Sequence, residues 1–335
     1  MSAEGEEAPL GEAGGYRAAP KAKARFGNET PAAIDLKGVT RTFGALTAVN
    51  DVTFEVPDGC VFGLIGPNGA GKTTTFSMLA GYLTPTRGEI YILDRSPDAT
   101  AELKGKVGVL PQDALLPAGE RVGDFLVYLA RLQGMSSPEA RRSAEKVLAE
   151  VEGGDWWKTR CGALSHGMAK RVGLAQALLG DPRVVLLDEP TAGLDPRVAY
   201  EVRQLVKSRK GRCTLVISSH NLQELEEICD YAAILDRGRL ITVGTMAELT
   251  ATSSEVRFAL AQGPVPEDAV RAIEGVRTVA WHLGARELVV TFDRAQCDAE
   301  EIIRRGTFVL YQNNARISGV SKGHGLEQRV MELTE

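Results

Sequence analysis

No stretch of this chain of 335 residues approaches the roughly 18 consecutive apolar residues that cross a bilayer. The longest apolar runs, such as Val184-Val185-Leu186-Leu187, are strand-sized. The chain also lacks a basic excess: Lys and Arg number 39 against 44 Asp and Glu, a formal net charge of −5. A broad nucleic-acid footprint needs a basic face, so no nucleic-acid partner is expected. The first 15 residues are acidic and Gly-rich without an apolar core, which excludes a secretory signal peptide. Five cysteines, at 60, 161, 213, 229 and 297, are scattered without a CxxC pair. They form no disulfide framework and no thiolate metal site, as expected of a reducing cytoplasm. No solenoid-type repeat is present, and no Asn-Lys-x-Asp motif for reading a guanine base occurs.

What is present divides into three. Residues 1–30 mix Gly, Ala, Pro and Glu with a few Lys and Arg, too few large apolar side chains to bury, and are expected to be a disordered tail. From 31 to 249 strand-sized apolar runs alternate with helical stretches, which predicts an α/β fold with a largely parallel sheet. Val52-Phe54-Val56 alternate in a β pattern, and Val61–Ile65 reads as a strand buried on both faces. Further strands are predicted at Val107–Leu110, Val184–Leu187, Leu215–Ile217 and Ala232–Leu235. Between 113 and 163 the strand signal gives way to helical spacing, notably Phe125, Leu126, Leu129 and Leu132, then Pro138–Val151. This predicts a helical insertion. Residues 250–335 read as a small α+β domain in the order β-α-β-β-α-β: strand Glu255–Leu260, helix Pro266–Ile273, hairpin Thr278–Phe292, helix Cys297–Arg305 and strand Thr307–Tyr311. That order is the ferredoxin-like one. A short amphipathic helix, Leu326–Leu333, ends the chain.

The strongest motif is Gly66-Pro67-Asn68-Gly69-Ala70-Gly71-Lys72-Thr73-Thr74, which follows an apolar strand and opens a helix. Its glycines let backbone N–H groups converge on a phosphate, and the helix N-terminus adds positive potential. Lys72 would reach the β- and γ-phosphates, and the Thr73 hydroxyl would ligate Mg²⁺. Val184–Leu187 ends in Asp188-Glu189. Asp188 is placed for the metal, and Glu189 is the candidate base that polarises the attacking water.

In this register, "LSHGMAKRVGLAQALLGDPRVVLLDEPTAGLDP" (164–196) resembles the ATPase subunit of ATP-binding cassette (ABC) transporters. The motif order matches that family over about residues 33–248. The resemblance implies a P-loop NTPase cassette core with an antiparallel β subdomain and a helical insertion. It also implies a head-to-tail dimer holding two ATP, each between the phosphate loop of one subunit and the Leu-Ser-x-Gly-Gln signature of the other. Ser165 and Gly167 occupy that signature, with Met168 where Gln is usual. Ser165 is a good helix N-cap and Gly167 permits close backbone approach, so the change at Met168 is expected to be tolerated. Phe43 matches the aromatic that stacks on adenine, Gln112 the glutamine that senses Mg²⁺, and His220 the histidine that contacts the γ-phosphate. Gly193-Leu194-Asp195 matches the loop between subunits, and Asp195 is counted with the nucleotide-binding residues.

The resemblance thus implies an ATP- and Mg²⁺-dependent hydrolase that partners a second ATPase subunit and a transmembrane permease. It would sit peripherally on the cytoplasmic face of the membrane. The C-terminal domain and "GLEQRVMELTE" resemble the ends of exporter ATPases, and this tilts the reading towards export. The alternative is a cassette ATPase acting on a ribosome, DNA or a membrane-protein regulator. His166, His282 and His324 carry no functional expectation, and Trp156-Trp157 are expected to pack between the helical insertion and the core.

Overall fold

The structure, a computed structural model, describes residues 31–335 except 114, 251–254, 294, 323–325, 327–329, 332 and 334–335. The expected disordered tail, residues 1–30, lies outside the described residues. The first two strands, β1 (Ala32–Phe43) and β2 (Leu46–Pro57), pair antiparallel, with Phe43 opposite Leu46. Strand β3 (Val61–Ile65) leads into helix α1 (Lys72–Leu79), and β4 (Arg87–Ile92) returns to the other edge of β1. This gives a three-stranded antiparallel sheet in the order β2-β1-β4. A short helix α2 (Thr100–Leu103) and strand β5 (Val107–Leu110) precede helices α3 (Val122–Leu132), α4 (Ser137–Glu150) and α5 (His166–Ala177). Then follow β6 (Val184–Asp188), α6 (Pro196–Arg209), β7 (Thr214–Ser218), α7 (Leu222–Ile228), β8 (Tyr231–Asp236), β9 (Arg239–Thr245) and α8 (Met246–Thr250).

The central sheet has the order β5-β6-β7-β3-β8-β9, parallel throughout except for the antiparallel edge strand β9. Every residue of β3, β6 and β7 is buried, which is why these strands read as unbroken apolar runs. Successive side chains still go to opposite faces. Val61, Ile65, Val185 and Leu187 join a core with α3, α4, α5 and α6. Phe62, Leu64, Val184 and Leu186 join a second core with α1 and the antiparallel sheet. Phe54 stacks on Phe62 at 5.4 Å between ring centres and ties the two sheets together. Trp156 and Trp157 pack against the first core, as expected.

The C-terminal unit comprises β10 (Glu255–Gln262), α9 (Glu267–Arg271), β11 (Val276–His282), β12 (Glu287–Phe292), α10 (Ala299–Gln312) and β13 (Arg316–Lys322). Its sheet order is β11-β12-β10-β13, with all neighbours antiparallel. One expectation fails here. Thr307–Tyr311, predicted as the last strand, continues helix α10, and the strand lies later, at Arg316–Lys322. The run Thr-Phe-Val-Leu-Tyr is locally β-like, but burying Ile302, Gly306 and Leu310 requires helical spacing. Gly306 lets the helix lie close to the sheet: a Cβ there would stand 2.5 Å from the Phe258 ring.

Of the expected terminal helix 326–333, residues 327–329 and 332 lie outside the described residues. Leu326 and Val330 are buried in the first core, and the Leu326 amide donates to Glu226 of α7.

Candidate functional site

The carboxyl ends of β3, β5, β6 and β7 lie side by side, where ligands bind in open α/β sheets. From Ile65 the chain turns through Gly66–Gly71 into α1. A Cβ on Gly66 would stand 2.2 Å from the Leu235 carbonyl oxygen, so no side chain fits there. Gly71, at φ 95°, lies in the left-handed region, and a Cβ would meet the Ala48 carbonyl at 2.6 Å. The loop is therefore pressed between β2 and β8. Lys72 Nζ donates to the carbonyls of Gly66 at 2.6 Å and Pro67 at 3.1 Å, and so sits inside the curl of its own loop. Burial pulls its pKa down, while the charges of Glu189 and Asp188 oppose the shift. Thr73 is exposed at the start of α1 and Thr74 half-buried, whereas the Thr75 hydroxyl is committed to the Gly71 carbonyl at 2.9 Å.

Asp188 ends β6 with 5% of its surface exposed, in register with Ser218 of β7. The Ser218 hydroxyl donates to Asp188 Oδ1 and accepts from the Glu189 amide at 3.0 Å. Desolvation pushes the Asp188 carboxyl above the usual aspartate range. The Ser218 hydrogen bond opposes this, and the neighbouring Glu189 charge adds to it. Glu189 takes φ 49°, uncommon for a residue with a side chain, and leaves the strand line. Its Oε2 lies 3.4 Å from Nδ1 of His220, which follows β7 and is largely exposed. Lys72, Asp188, Glu189 and His220 thus converge, drawn from three strands.

Gln112 is exposed just beyond β5, and Lys170 Nζ donates to its carbonyl at 3.3 Å. Burial lowers the Lys170 pKa, while Asp188, Glu189 and Asp113 pull the other way. Lys170 was missed by sequence reasoning, because a lysine in mid-helix carries no signal until the fold turns it towards two carboxylates. Ser218 was missed too, although a hydroxyl two residues before His220 on a buried strand was a usable hint.

The signature residues are not brought to the phosphate loop. Ser165 is the exposed N-cap of α5 and accepts from the Met168 amide at 3.3 Å. Among the described residues it makes no hydrogen bond to the loop. Gly167 lies against Leu194, and His166 against Gly193, whose added Cβ would meet His166 Nε2 at 3.0 Å. The signature therefore packs on the turn after β6. Asp195 caps α6, accepting from the amides of Arg197 at 3.1 Å and Val198 at 3.2 Å. Its carboxylate is the N-cap of that helix. Phe43, 43% exposed, ends β1 on the strand pair that abuts Gly71. A cavity of about 460 Å³ lined by Gly193, Leu194, Arg203, His220 and Glu224 lies beside the site and does not include the phosphate loop.

No cluster of three or more His, Cys, Asp or Glu able to hold a metal exists among the described residues. Thr73 at the start of α1 and Asp188 at the end of β6 are the residues expected to hold Mg²⁺. Burial pushes the Cys60 thiol up to about 12 and Cys229 higher still. Among the described residues no helix is long and apolar enough to cross a membrane.

Comparison with known proteins places the chain in a family. Residues 49–192 match the family model described as ABC transporter. The chain is 36% identical over 220 residues to Nod factor export ATP-binding protein I of Rhizobium johnstonii, covering 65% of this chain and 71% of that protein. It is 29% identical over 279 residues to linearmycin resistance ATP-binding protein LnrL of Bacillus subtilis, covering 81% of this chain and 88% of the other. Among solved structures, an ATP-binding subunit of an ABC transporter superposes with a TM-score of 0.60 at 28% identity, covering 64% of this chain and 91% of that one. The cbiO1 subunit from Clostridium perfringens, part of the ABC transporter complex cbiONQ, gives 0.58 at 25% identity, covering 65% and 90%.

Proposed function

Because the chain belongs to the ATP-binding subunits of ABC transporters and is an ABC-type ATPase, we propose that it powers an export permease as one half of a head-to-tail dimer. The observation that carries this reading is a division of labour within the fold. Lys72, Asp188, Glu189 and His220 converge at one site, while Ser165 and Gly167 stand on a separate helix N-terminus with no phosphate loop of their own to serve. A second copy would supply what each site lacks.

In the proposed site, backbone amides of residues 66–74 and the Lys72 ammonium hold the β- and γ-phosphates of ATP. Phe43 stacks on adenine. Thr73, Asp188 and Gln112 would hold Mg²⁺, which would supply charge neutralisation at the phosphates. Glu189 accepts a proton from water as its oxygen attacks the γ-phosphorus in line with the departing ADP oxygen. His220, braced against Glu189, donates to the γ-phosphate. The partner's signature, at the positive end of α5, meets the same phosphate, and Met168 takes part only through its backbone amide.

Export is favoured by two relatives, one named a Nod factor export ATP-binding protein and the other a linearmycin resistance ATP-binding protein. The second match covers 81% of the chain. That is more than the 249 residues before the C-terminal unit, so the likeness reaches into that unit. We read this unit as ferredoxin-like, on its β-α-β-β-α-β order and strand order β11-β12-β10-β13. The subunit would sit on the cytoplasmic face of the membrane, docked on its permease through the α3–α4 insertion. Glu189→Gln tests the chemistry. Turnover should fall by about 10²- to 10⁴-fold while ATP binding persists, and near-normal turnover would remove Glu189 from the role of base.

A further inference from the structure

The ring of Phe43 is not free on both faces. The Arg41 guanidinium lies over it, 4.6 Å from the ring centre. Arg41 is itself anchored: its Nη1 donates to the Thr84 carbonyl at 2.8 Å, on the loop between α1 and β4. Its Nε is shielded from water and has no hydrogen-bond partner among the described residues, so the aromatic face stands in for the solvent that this edge of the cation has lost. The pairing of β1 with β2 slips on both sides of Arg41, between Val39 and Arg41 and again between Arg41 and Thr42. Such irregularities re-aim side chains and mark positions where a strand does more than pair. Val49, the cross-strand partner of Arg41, lies 3.3 Å from where a Cβ on Gly71 would stand. One rigid strand pair therefore carries the arginine, the ring and the wall of the phosphate loop.

We propose that Arg41 is the positioning residue for the nucleotide base: it backs one face of Phe43, fixes the plane of the ring, and leaves the opposite face as the stacking platform for a purine. This rests on the reading of the site as an ATP site with Phe43 against adenine. Phe43 has two side-chain torsions, and at 43% exposure little else restrains it. A ring already held in plane loses less freedom when a base stacks on it. A partly desolvated cation on one face is held by the ring quadrupole more strongly than an exposed one.

The experiment compares Arg41→Met, which keeps most of the stem and removes the charge, with Arg41→Lys and Phe43→Ala. ATP and inorganic tripolyphosphate, which has the phosphates without the base, serve as probes in calorimetric binding. Arg41→Met should weaken ATP by about three- to tenfold, leave tripolyphosphate unchanged, and raise KM with kcat retained at saturating ATP. Arg41→Lys should recover most of the loss, and Arg41→Met should add nothing in the Phe43→Ala background. Unchanged ATP affinity in Arg41→Met overturns the proposal, and so does an equal loss for ATP and tripolyphosphate, which would place Arg41 in the integrity of the phosphate loop. If Phe43→Ala binds ATP normally, the platform reading beneath the proposal falls instead.

Discussion

Ser165→Arg separates the two halves of the proposed site. The hydroxyl of Ser165 caps α5 by accepting from the Met168 amide, so its own proton remains free to donate. Losing the cap costs about 1 kcal/mol, and a cation at the helix N-terminus costs roughly 0.3–1 kcal/mol more. Against a typical stability of roughly 5–15 kcal/mol the variant stays folded. Lys72 and the phosphate loop are untouched, so ATP binding should match wild type. Turnover should fall by about 10²- to 10³-fold, the usual effect of removing one donor from a charge-stabilising site. Met168→Gln alters neither the cap nor the charge, and should stay within a few-fold of wild type. The sharper assay mixes Ser165→Arg with Lys72→Ala. Each protein alone is inactive. In a head-to-tail dimer of the two, one site has an intact loop from the first chain and an intact signature from the second. Random pairing gives up to about a quarter of wild-type turnover. A mixture no more active than its parents would refute the shared site.

Other expectations concern stability. Burial raises the Asp188 pKa, so the fold disfavours its ionised form. That cost sets in as pH rises through about 3.9, where the unfolded carboxylate ionises first. It is complete above the raised folded value. Asp188→Asn should therefore raise the Tm of the nucleotide-free protein at pH 7 and lose the advantage near pH 4 while abolishing turnover; a lower Tm at pH 7 in calorimetry would refute this. Gly306→Ala would press a methyl into the Phe258 ring and should destabilise the C-terminal unit by about 1–3 kcal/mol. Limited proteolysis should then cut that unit first, leaving ATP binding intact.

The cassette was readable where local chemistry and tertiary demand coincide. The buried strands are apolar because both of their faces are covered, and Gly66 and Gly71 mark places where a Cβ would strike a carbonyl. The helical insertion was legible in the spacing of Leu126 and its neighbours. Reading failed where the two demands part. Thr307–Tyr311 has strand-forming side chains, yet Phe258 across the C-terminal core selects a helix with Gly306 facing it.

The chain by itself determined the order of its chemical parts: the loop 66–74, the acidic pair 188–189, His220 and the signature at 165–167. In the proposed site those parts meet the requirements of phosphate binding, which needs particular residue types at short spacings. Only the tertiary structure decided which side chains far apart in sequence act together. It placed Ser218 on Asp188, aimed Lys170 at the Gln112 carbonyl, laid Arg41 on Phe43, and packed the helix start at Ser165 on the turn after β6. Those choices depend on strand order and register, which are set by how apolar faces are shared between layers, and no local stretch of sequence contains that information.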